Sequence, residues 1–436
     1  MYNSSLSSLH SMYKKFSRTI IVTLLGILQS LVIVNKRSIL LIIFESLLIG
    51  SLLIPEIFIG VFQSGIHLNI SFFPEIGTFR FLPMMSLLAG IAYIVKRWEK
   101  MPFLNISKIA LSQLLLLLIF AFGITYSKEP ERGRQFIWLF GYYNTFLVFL
   151  PIIFQKDLKS LRRIVYAFGI SSIIVGLSTT ILIKKIWYAD IGTYSENMYS
   201  DERVIGAGII YLVWIFLNKY IKNGIFRVPL FIILSINLFS LVLIGRRGIL
   251  FGTLIAASVC IFFKLRLSPK AVLILSFILG ALLVVFLLIP DRYREKTFNL
   301  ETYKDPSRSA QIRLKIYENA INEIKNSPIW GYGTSAGSNP DLGIGLTPYL
   351  HNIFLEISYQ SGIIGIAAFV LFLYYIGSAA KKILSNNGAS KERKAILVLV
   401  LCWFIVWFVP AQLSYDLIGN RNMWFIAGLI GALSYF

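Results

Sequence analysis

Apolar residues in this chain come in long unbroken runs, separated by short polar stretches that are mostly basic. A bilayer core needs about 20 predominantly apolar residues per helical span. Runs of that kind recur, as in AVLILSFILGALLVVFLLI (271–289) and AILVLVLCWFIVWFVP (395–410). They are continuous rather than alternating, which excludes a closed barrel. The pattern predicts spans at 38–62, 78–95, 108–126, 136–154, 164–183, 204–220, 228–245, 249–263, 271–289, 361–379, 395–413 and 423–436, about 12 by the length criterion. TIIVTLLGILQSLVIV (19–34) is short and follows a basic segment. It is expected to lie in the interface or to be re-entrant, with a thirteenth span as the alternative. The expected fold class is an all-α polytopic membrane protein, with residues 1–436 forming a single integral membrane domain.

The longest polar stretch is not low-complexity. Residues 290–348 contain SRSAQIRLKIYENAINEIKNSP, with Ile312, Ile316, Ala320 and Ile324 at a spacing of four, Ser307 or Ser309 placed as a cap, and Ser327-Pro328 as a stop. This predicts an amphipathic helix at about 309–326 near the membrane surface. GYGTSAGSNPDLGIG follows, a turn-rich segment in which glycine lets backbone approach closely.

Composition agrees with the pattern: 56% of residues are hydrophobic, 14% are charged and the mean hydropathy is +0.72. The net charge of +21 would suit a nucleic-acid partner, but Lys and Arg sit in clusters between apolar runs, at NKR, KRWEK, KSLRR, KLRLSPK and KERK. That is the positive-inside signature, so no nucleic-acid partner is expected and the basic face is assigned to the cytoplasm. The loops 186–203 and 290–348 then fall on the extracytoplasmic side. Cys260 and Cys402 both lie in apolar runs and read as small buried hydrophobes rather than a disulfide framework. The first apolar run is followed by NKR instead of a small-residue cleavage site, so no cleavable signal peptide is expected.

Against that topology, a few polar residues stand out. Arg246 and Arg247 occupy the outer end of a hairpin, in LVLIGRRGILFG, with no acidic residue near them in sequence. They either snorkel to outer-leaflet phosphates or form an anion site, since a guanidinium binds phosphate bidentately and stays charged. Arg203 ends the first outward loop, and Arg308 and Arg313 lie on the loop helix, where solvated residues would look the same. Of the three histidines, His10 and His67 are in polar segments, whereas His351 sits where the long loop re-enters the membrane, in LTPYLHNIFLEI. An imidazole there suits proton transfer near neutral pH, with Glu356 as a distant second. No DxD motif and no Asp, Glu or His cluster with metal-ligand spacing appears outside the membrane, so no metal and no cofactor are expected.

At LHNIFLEISYQSGIIG the chain resembles the O-antigen ligase and O-antigen polymerase superfamily. The resemblance rests on His351-Asn352 followed by Gly362-Ile363-Ile364-Gly365, on Arg313 leading a helix that ends in Pro328-Ile329-Trp330-Gly331-x-Gly333, and on RRG at 246–248. Arg247 matches the family's Arg there, while Arg246 replaces its Ser. ERVIGAG is similar to the Arg-x-x-Gly start of a family span and maps that Arg onto Arg203, although the family's following Asn has no clear counterpart.

The resemblance implies a membrane glycosyltransferase of the GT-C type, in the bacterial cytoplasmic (inner) membrane with its site facing outward. Its substrates would be a polyprenyl-pyrophosphate-linked glycan donor and a glycan acceptor. His351 would serve as catalytic base, or alternatively donate to the pyrophosphate. Arg203, Arg247, Arg313, Arg246, Arg308 and Asn352 would hold the pyrophosphate or substrate. The primary expectation is a polymerase of repeat units, inverting and metal-independent, surrounded by membrane lipids and partnered by a chain-length regulator protein. The alternatives are a ligase that moves the glycan to lipid A core or another acceptor and, from a different class, a lipid-linked oligosaccharide transporter. A transporter would more typically show broken helices, repeat symmetry and short loops.

Overall fold

The computed structural model describes residues 55–63, 106–154, 157–186, 202–218, 227–244, 247–265, 308–335, 350–413 and 417–436. Every regular element among them is helical. In chain order these are α1 (Pro55–Gln63), α2 (Lys108–Gly123), α3 (Pro130–Leu139, continuing irregularly to Phe154), α4 (Leu158–Ile186), α5 (Arg203–Leu217) and α6 (Arg227–Ile244). They are followed by α7 (Arg247–Leu265), α8 (Arg308–Asn326), α9 (Ile353–Ser385), α10 (Lys391–Phe408) and α11 (Arg421–Leu433). Among the described residues, five stretches are long and apolar enough to cross a membrane: Lys108–Tyr126, Pro130–Phe154, Leu158–Thr179, Ile353–Ser385 and Lys391–Gln412. The chain is therefore a helical membrane protein. The expected spans 78–95 and 271–289, the segment 19–34 and nearly all of the loop 186–203 lie outside the described residues.

Helix α11 is apolar on every side, and all of its residues from Arg421 to Leu433 are buried. Such a helix belongs in the interior. It packs against α2, α3, α4, α9 and α10, and Gly428 meets the Val148 carbonyl so closely that an added Cβ would stand 2.4 Å from its oxygen. One turn earlier Trp424 extends the contact, with its ring 5.1 Å from Phe372 and 5.5 Å from Phe140.

One end of the bundle is basic and paired: Arg162 meets Glu392 at 2.8 Å, and Arg163 reaches Glu56 at 3.6 Å. Trp214 Nε1 donates to the Ala395 carbonyl, which ties the C-terminal end of α5 to the same level. Arg203, at the start of α5, therefore stands at the opposite end. Helix α1 corrects one boundary. Its Glu56 accepts from Ser160 at 2.9 Å and its Gly60 faces Ile164 and Phe168. It thus starts at the basic end parallel to α4, whereas a span at 38–62 should end on the far side.

The expected span 361–379 is part of a longer, broken helix. α9 runs from Ile353 to Ser385 but is interrupted at Gly362, with φ +58° and ψ −153°. The rings of Phe354 and Phe369 are 5.3 Å apart, whereas fifteen residues of straight helix would separate them by about 22 Å. The limb 353–361 is therefore folded back beside the limb 363–385. A break of this kind frees backbone groups that need partners when buried. The turn after α8 supplies them: Tyr332 N donates to the Tyr359 carbonyl at 2.9 Å, Gly333 N to Gln360 at 3.0 Å, and Ile363 N to Pro328 at 2.9 Å. The same turn is fastened to α2 by Tyr126 Oη on the Trp330 carbonyl and by Ser127 Oγ on that of Thr334.

An added Cβ at Gly362 would lie 2.2 Å from the Ile329 carbonyl oxygen, whereas at Gly377, in the same helix, it would meet nothing within 4 Å. Gly362→Ala is therefore expected to lower the yield and melting temperature of monodisperse protein in detergent. Gly377→Ala should leave them unchanged or raise stability by roughly 0.5–1 kcal/mol, the usual gain from replacing a mid-helix glycine.

Candidate functional site

The far end of the bundle is organised around the connection between α10 and α11, of which residues 409–413 and 417–420 are described. Pro410–Gln412 forms a short 3-10 turn that ends α10, and Leu417–Asn420 leads into α11. Side chains from five other elements converge on the backbone of this connection. Asn352 Nδ2 donates to the Gln412 carbonyl at 3.1 Å, and Arg313 Nη1 to the Leu413 carbonyl at 2.8 Å. Leu417 is held through both of its backbone polar groups. Its N–H donates to Glu356 Oε2 at 3.2 Å, and its carbonyl accepts from Asn144 Nδ2 at 2.8 Å and from Trp424 Nε1 at 3.3 Å. Arg203 Nη2 donates to the Gly419 carbonyl at 2.8 Å, and its Nη1 to Asn420 Oδ1.

Each donor is delivered by a local feature of its own chain. Asn144 lies in a π-helical turn, Phe140–Thr145, within the α3 span; such single turns widen a helix locally and are frequent at functional sites. Arg203 is the first residue of α5 and only 1% exposed. A buried guanidinium needs acceptors for its donors, and a carbonyl and an amide oxygen from the same turn provide two of them.

Asn352 is the N-cap of α9, its Oδ1 accepting from Phe354 N and Leu355 N at 3.0 Å each. The side chain that the family resemblance assigns to substrate is thus already committed to a helix start and to Gln412. Sequence periodicity extends the helix through Asn352, but the helix begins one residue later.

His351 precedes that cap and is expected at the mouth of a cavity. It is only 9% exposed, and its backbone is left-handed, with φ +56°. Such a φ is uncommon outside glycine, and His is among the residues enriched there. Tyr317 Oη, from α8, donates to the His351 carbonyl at 3.2 Å. Burial raises the Tyr317 pKa, partly offset by nearby Arg313, so this phenol remains a donor throughout the neutral range. Arg313 and Tyr317 stand one turn apart on α8 and therefore fix both Leu413 and His351 from above.

The remaining candidates are placed less fully. Arg247 and Arg308 open α7 and α8, and Arg246 lies outside the described residues. Gly248, next to Arg247, would carry a Cβ 3.4 Å from the Leu413 side chain, so the start of α7 adjoins the same turn. Among the described residues, no group of three or more His, Cys, Asp or Glu side chains is arranged to hold a metal ion. Cys260 and Cys402 are buried free thiols in α7 and α10.

Sequence reasoning leaves out the turn itself, Asn144, Gln360 and Trp424. The available signal was the polar run Asn420-Arg421-Asn422, which continues into an apolar span and is buried throughout. Polar side chains at the head of a fully buried helix indicate that the preceding connection is internal too.

Comparison with known proteins bears out the resemblance to the O-antigen ligase and polymerase superfamily. The model of a family described as O-antigen ligase matches residues 229–370, a stretch that takes in Arg247, Arg313 and His351 but ends before the α10–α11 turn. An uncharacterised protein of Haemophilus influenzae is 22% identical over 389 residues, covering 81% of this chain and 92% of the relative. A Rickettsia conorii protein provisionally named a polysaccharide ligase is 27% identical over 289 residues, covering 60% of this chain and 64% of the relative. A Rickettsia prowazekii protein of the same provisional name is 25% identical over 310 residues, with coverages of 65% and 70%.

Asn352→Ala removes the α9 cap and the bond to Gln412. It should cost about 1 kcal/mol, as for other N-caps, and lower the melting temperature in detergent. Arg313→Ala, at a more exposed position on α8, should melt close to wild type.

Proposed function

We propose that this chain is a membrane glycosyltransferase of the O-antigen ligase type, which moves a glycan from a polyprenyl-pyrophosphate carrier to an acceptor on the outer side of the cytoplasmic membrane. The observation that carries the proposal is the convergence of Arg203, Arg313 and the His351-Asn352 segment on the connection between α10 and α11, in a chain that resembles such enzymes. Repeat-unit polymerisation is the weaker reading. The matching family is described as O-antigen ligase, and the two named relatives are provisionally named polysaccharide ligases.

In this reading the bond from the anomeric carbon to the pyrophosphate oxygen breaks as the acceptor hydroxyl oxygen bonds to that carbon from the opposite face, with inversion. The hydroxyl proton passes to the neutral imidazole of His351. The departing pyrophosphate gains negative charge, and fixed guanidinium groups at Arg203 and Arg313, joined by Arg247, stabilise it without reorganising. Arg is suited to this task because its planar fork remains charged and binds phosphate bidentately. We further read the chain as crossing the membrane about 12 times by the length criterion, with the Arg162–Glu392 end in the cytoplasm and α8 outside. A membrane-impermeant thiol reagent on intact spheroplasts should then label Cys placed at Ser335 and not at Ser268. The opposite pattern would invert the topology and remove the reading.

His351→Asn tolerates the left-handed backbone but supplies no base. Activity per folded molecule should fall by about 10²- to 10⁴-fold, while His10→Ala and His67→Ala remain active. Wild-type specific activity in His351→Asn would remove the catalytic role. In a deletion strain, long lipid-linked chains that fail to reach an acceptor are expected of a lost ligase. Products of a single repeat unit would restore the polymerase reading.

A further inference from the structure

We propose that Glu356 is a positioning residue that holds Arg203 in place for the pyrophosphate through the Leu417 peptide, an inference that rests on the reading of Arg203 given above. Glu356 is 4% exposed, and each of its carboxylate oxygens is engaged. Oε2 accepts from Leu417 N at 3.2 Å, and Oε1 accepts from Gln360 Nε2 at 3.3 Å. Gln360 Oε1 in turn accepts from Ser335 N at 3.2 Å, so the carboxylate joins the turn after α8 to the turn before α11.

The connection to Arg203 is short. With its N–H on Glu356 and its carbonyl on Asn144 and Trp424, each of the two peptide planes that meet at the Leu417 Cα is held, and neither can rotate without losing a bond. The next acceptors along the chain, the Gly419 carbonyl and Asn420 Oδ1, are those that receive the guanidinium of Arg203. Released at Leu417, the N–H would become an orphan donor in a buried site, and the residues after it would shift to find an acceptor. An ionised acceptor suits the position because Glu356 lies in the first turn of α9, where the helix dipole favours negative charge. A carboxylate held at both oxygens is a structural anchor. It differs in this from a general base, which needs an oxygen turned toward the acceptor hydroxyl.

The geometry offers an exchange that separates these roles. In the double variant Glu356→Gln/Gln360→Glu, the amide introduced at position 356 would accept from Leu417 N and donate to the carboxylate introduced at position 360. That carboxylate would accept from Ser335 N in turn. Every bond of the network survives, although the charge moves one turn along the helix. The measurement is the affinity of the full-length protein in detergent for farnesyl pyrophosphate, in wild type, Arg203→Ala, Glu356→Ala, the exchange, and Arg203→Ala/Glu356→Ala, each checked for monodisperse elution.

Arg203→Ala and Glu356→Ala should each weaken binding by roughly ten- to hundredfold, the scale of a lost hydrogen bond to a charged group. The double alanine variant should bind no more weakly than Arg203→Ala, since residues acting through one another are not additive. The exchange should restore wild-type affinity. Wild-type affinity in Glu356→Ala with transfer abolished would make Glu356 a base and overturn the proposal. So would additive losses, or an exchange variant that folds but does not regain affinity. If Arg203→Ala itself binds like wild type, the pyrophosphate reading of that arginine falls and takes the proposal with it. Loss of binding in Arg203→Ala with none in Glu356→Ala overturns the positioning role alone.

Discussion

Inside an apolar helical bundle, irregular backbone persists only if the protein itself supplies a partner for each freed N–H and C=O, and this requirement governs the arrangement at the far end of the molecule. Among the described residues, helical regularity is broken there most sharply by the Gly362 reversal of α9 and by the connection from α10 to α11. Turn 328–335 satisfies the first with main-chain bonds to Tyr359, Gln360 and Ile363. The second is satisfied by side chains, and these include Arg203, Arg313, Asn352 and Glu356. The residues with the chemistry to bind an anion and the residues that keep the backbone solvated by the protein are thus largely the same. This explains why the buried cation Arg203 is tolerated: its guanidinium head rests on a carbonyl and an amide oxygen whose own desolvation it relieves.

The motifs noted in the sequence acquire a common cause in this arrangement. Gly362 adopts a positive φ to reverse the helix, and Gly331 and Gly333, at φ +68° and +92°, bring the backbone against it. An added Cβ at Gly331 would lie 2.5 Å from the Tyr359 carbonyl. The Pro-x-x-Gly-x-Gly turn and the Gly-x-x-Gly stretch are therefore two halves of one contact. The His-Asn pair at the other end of the short limb starts that limb, with His351 in a left-handed conformation and Asn352 as its cap.

Helix periodicity and long apolar runs made the helical class and the elements α2, α4, α5, α7 and α10 legible from sequence, because a span is a local property of about 20 residues. What escaped was set by long-range pairing. Nothing local marks Gly362 as a reversal rather than a mid-span glycine, since its necessity comes from the Ile329 carbonyl in a different turn. Asn144 reads as an isolated polar residue in a span until Leu417 is placed against it, a separation of 273 residues. Arg203 and Arg313 drew notice through the family resemblance, because locally an Arg at a helix start or on a loop helix reads like a solvated one, and their bonds to the α10–α11 connection are tertiary. Glu356 was legible only as an acid near a histidine, and the bonds to Leu417 and Gln360 that give it meaning are tertiary.

The folded-back limb also bears on the chemistry. Because Phe354 lies beside Phe369 rather than above it, His351 and Glu356 are lowered alongside the spans instead of standing on the surface. Charges in such a setting interact more strongly than in water, which favours arginines as partners for a pyrophosphate whose negative charge grows as it departs. Exclusion of water would serve the proposed reaction, since a glycosyl donor exposed to solvent during transfer would be hydrolysed rather than passed to a sugar hydroxyl. A base in this position must be neutral before it takes the hydroxyl proton and charged afterwards, and imidazole is the side chain whose ordinary titration range allows both near neutral pH. The helix reversal, the cap at Asn352 and the left-handed histidine are in this sense one device: together they set the imidazole of His351 beside the bundle, one residue from the contact of Asn352 with the α10–α11 connection, where the proposed reaction needs its proton acceptor.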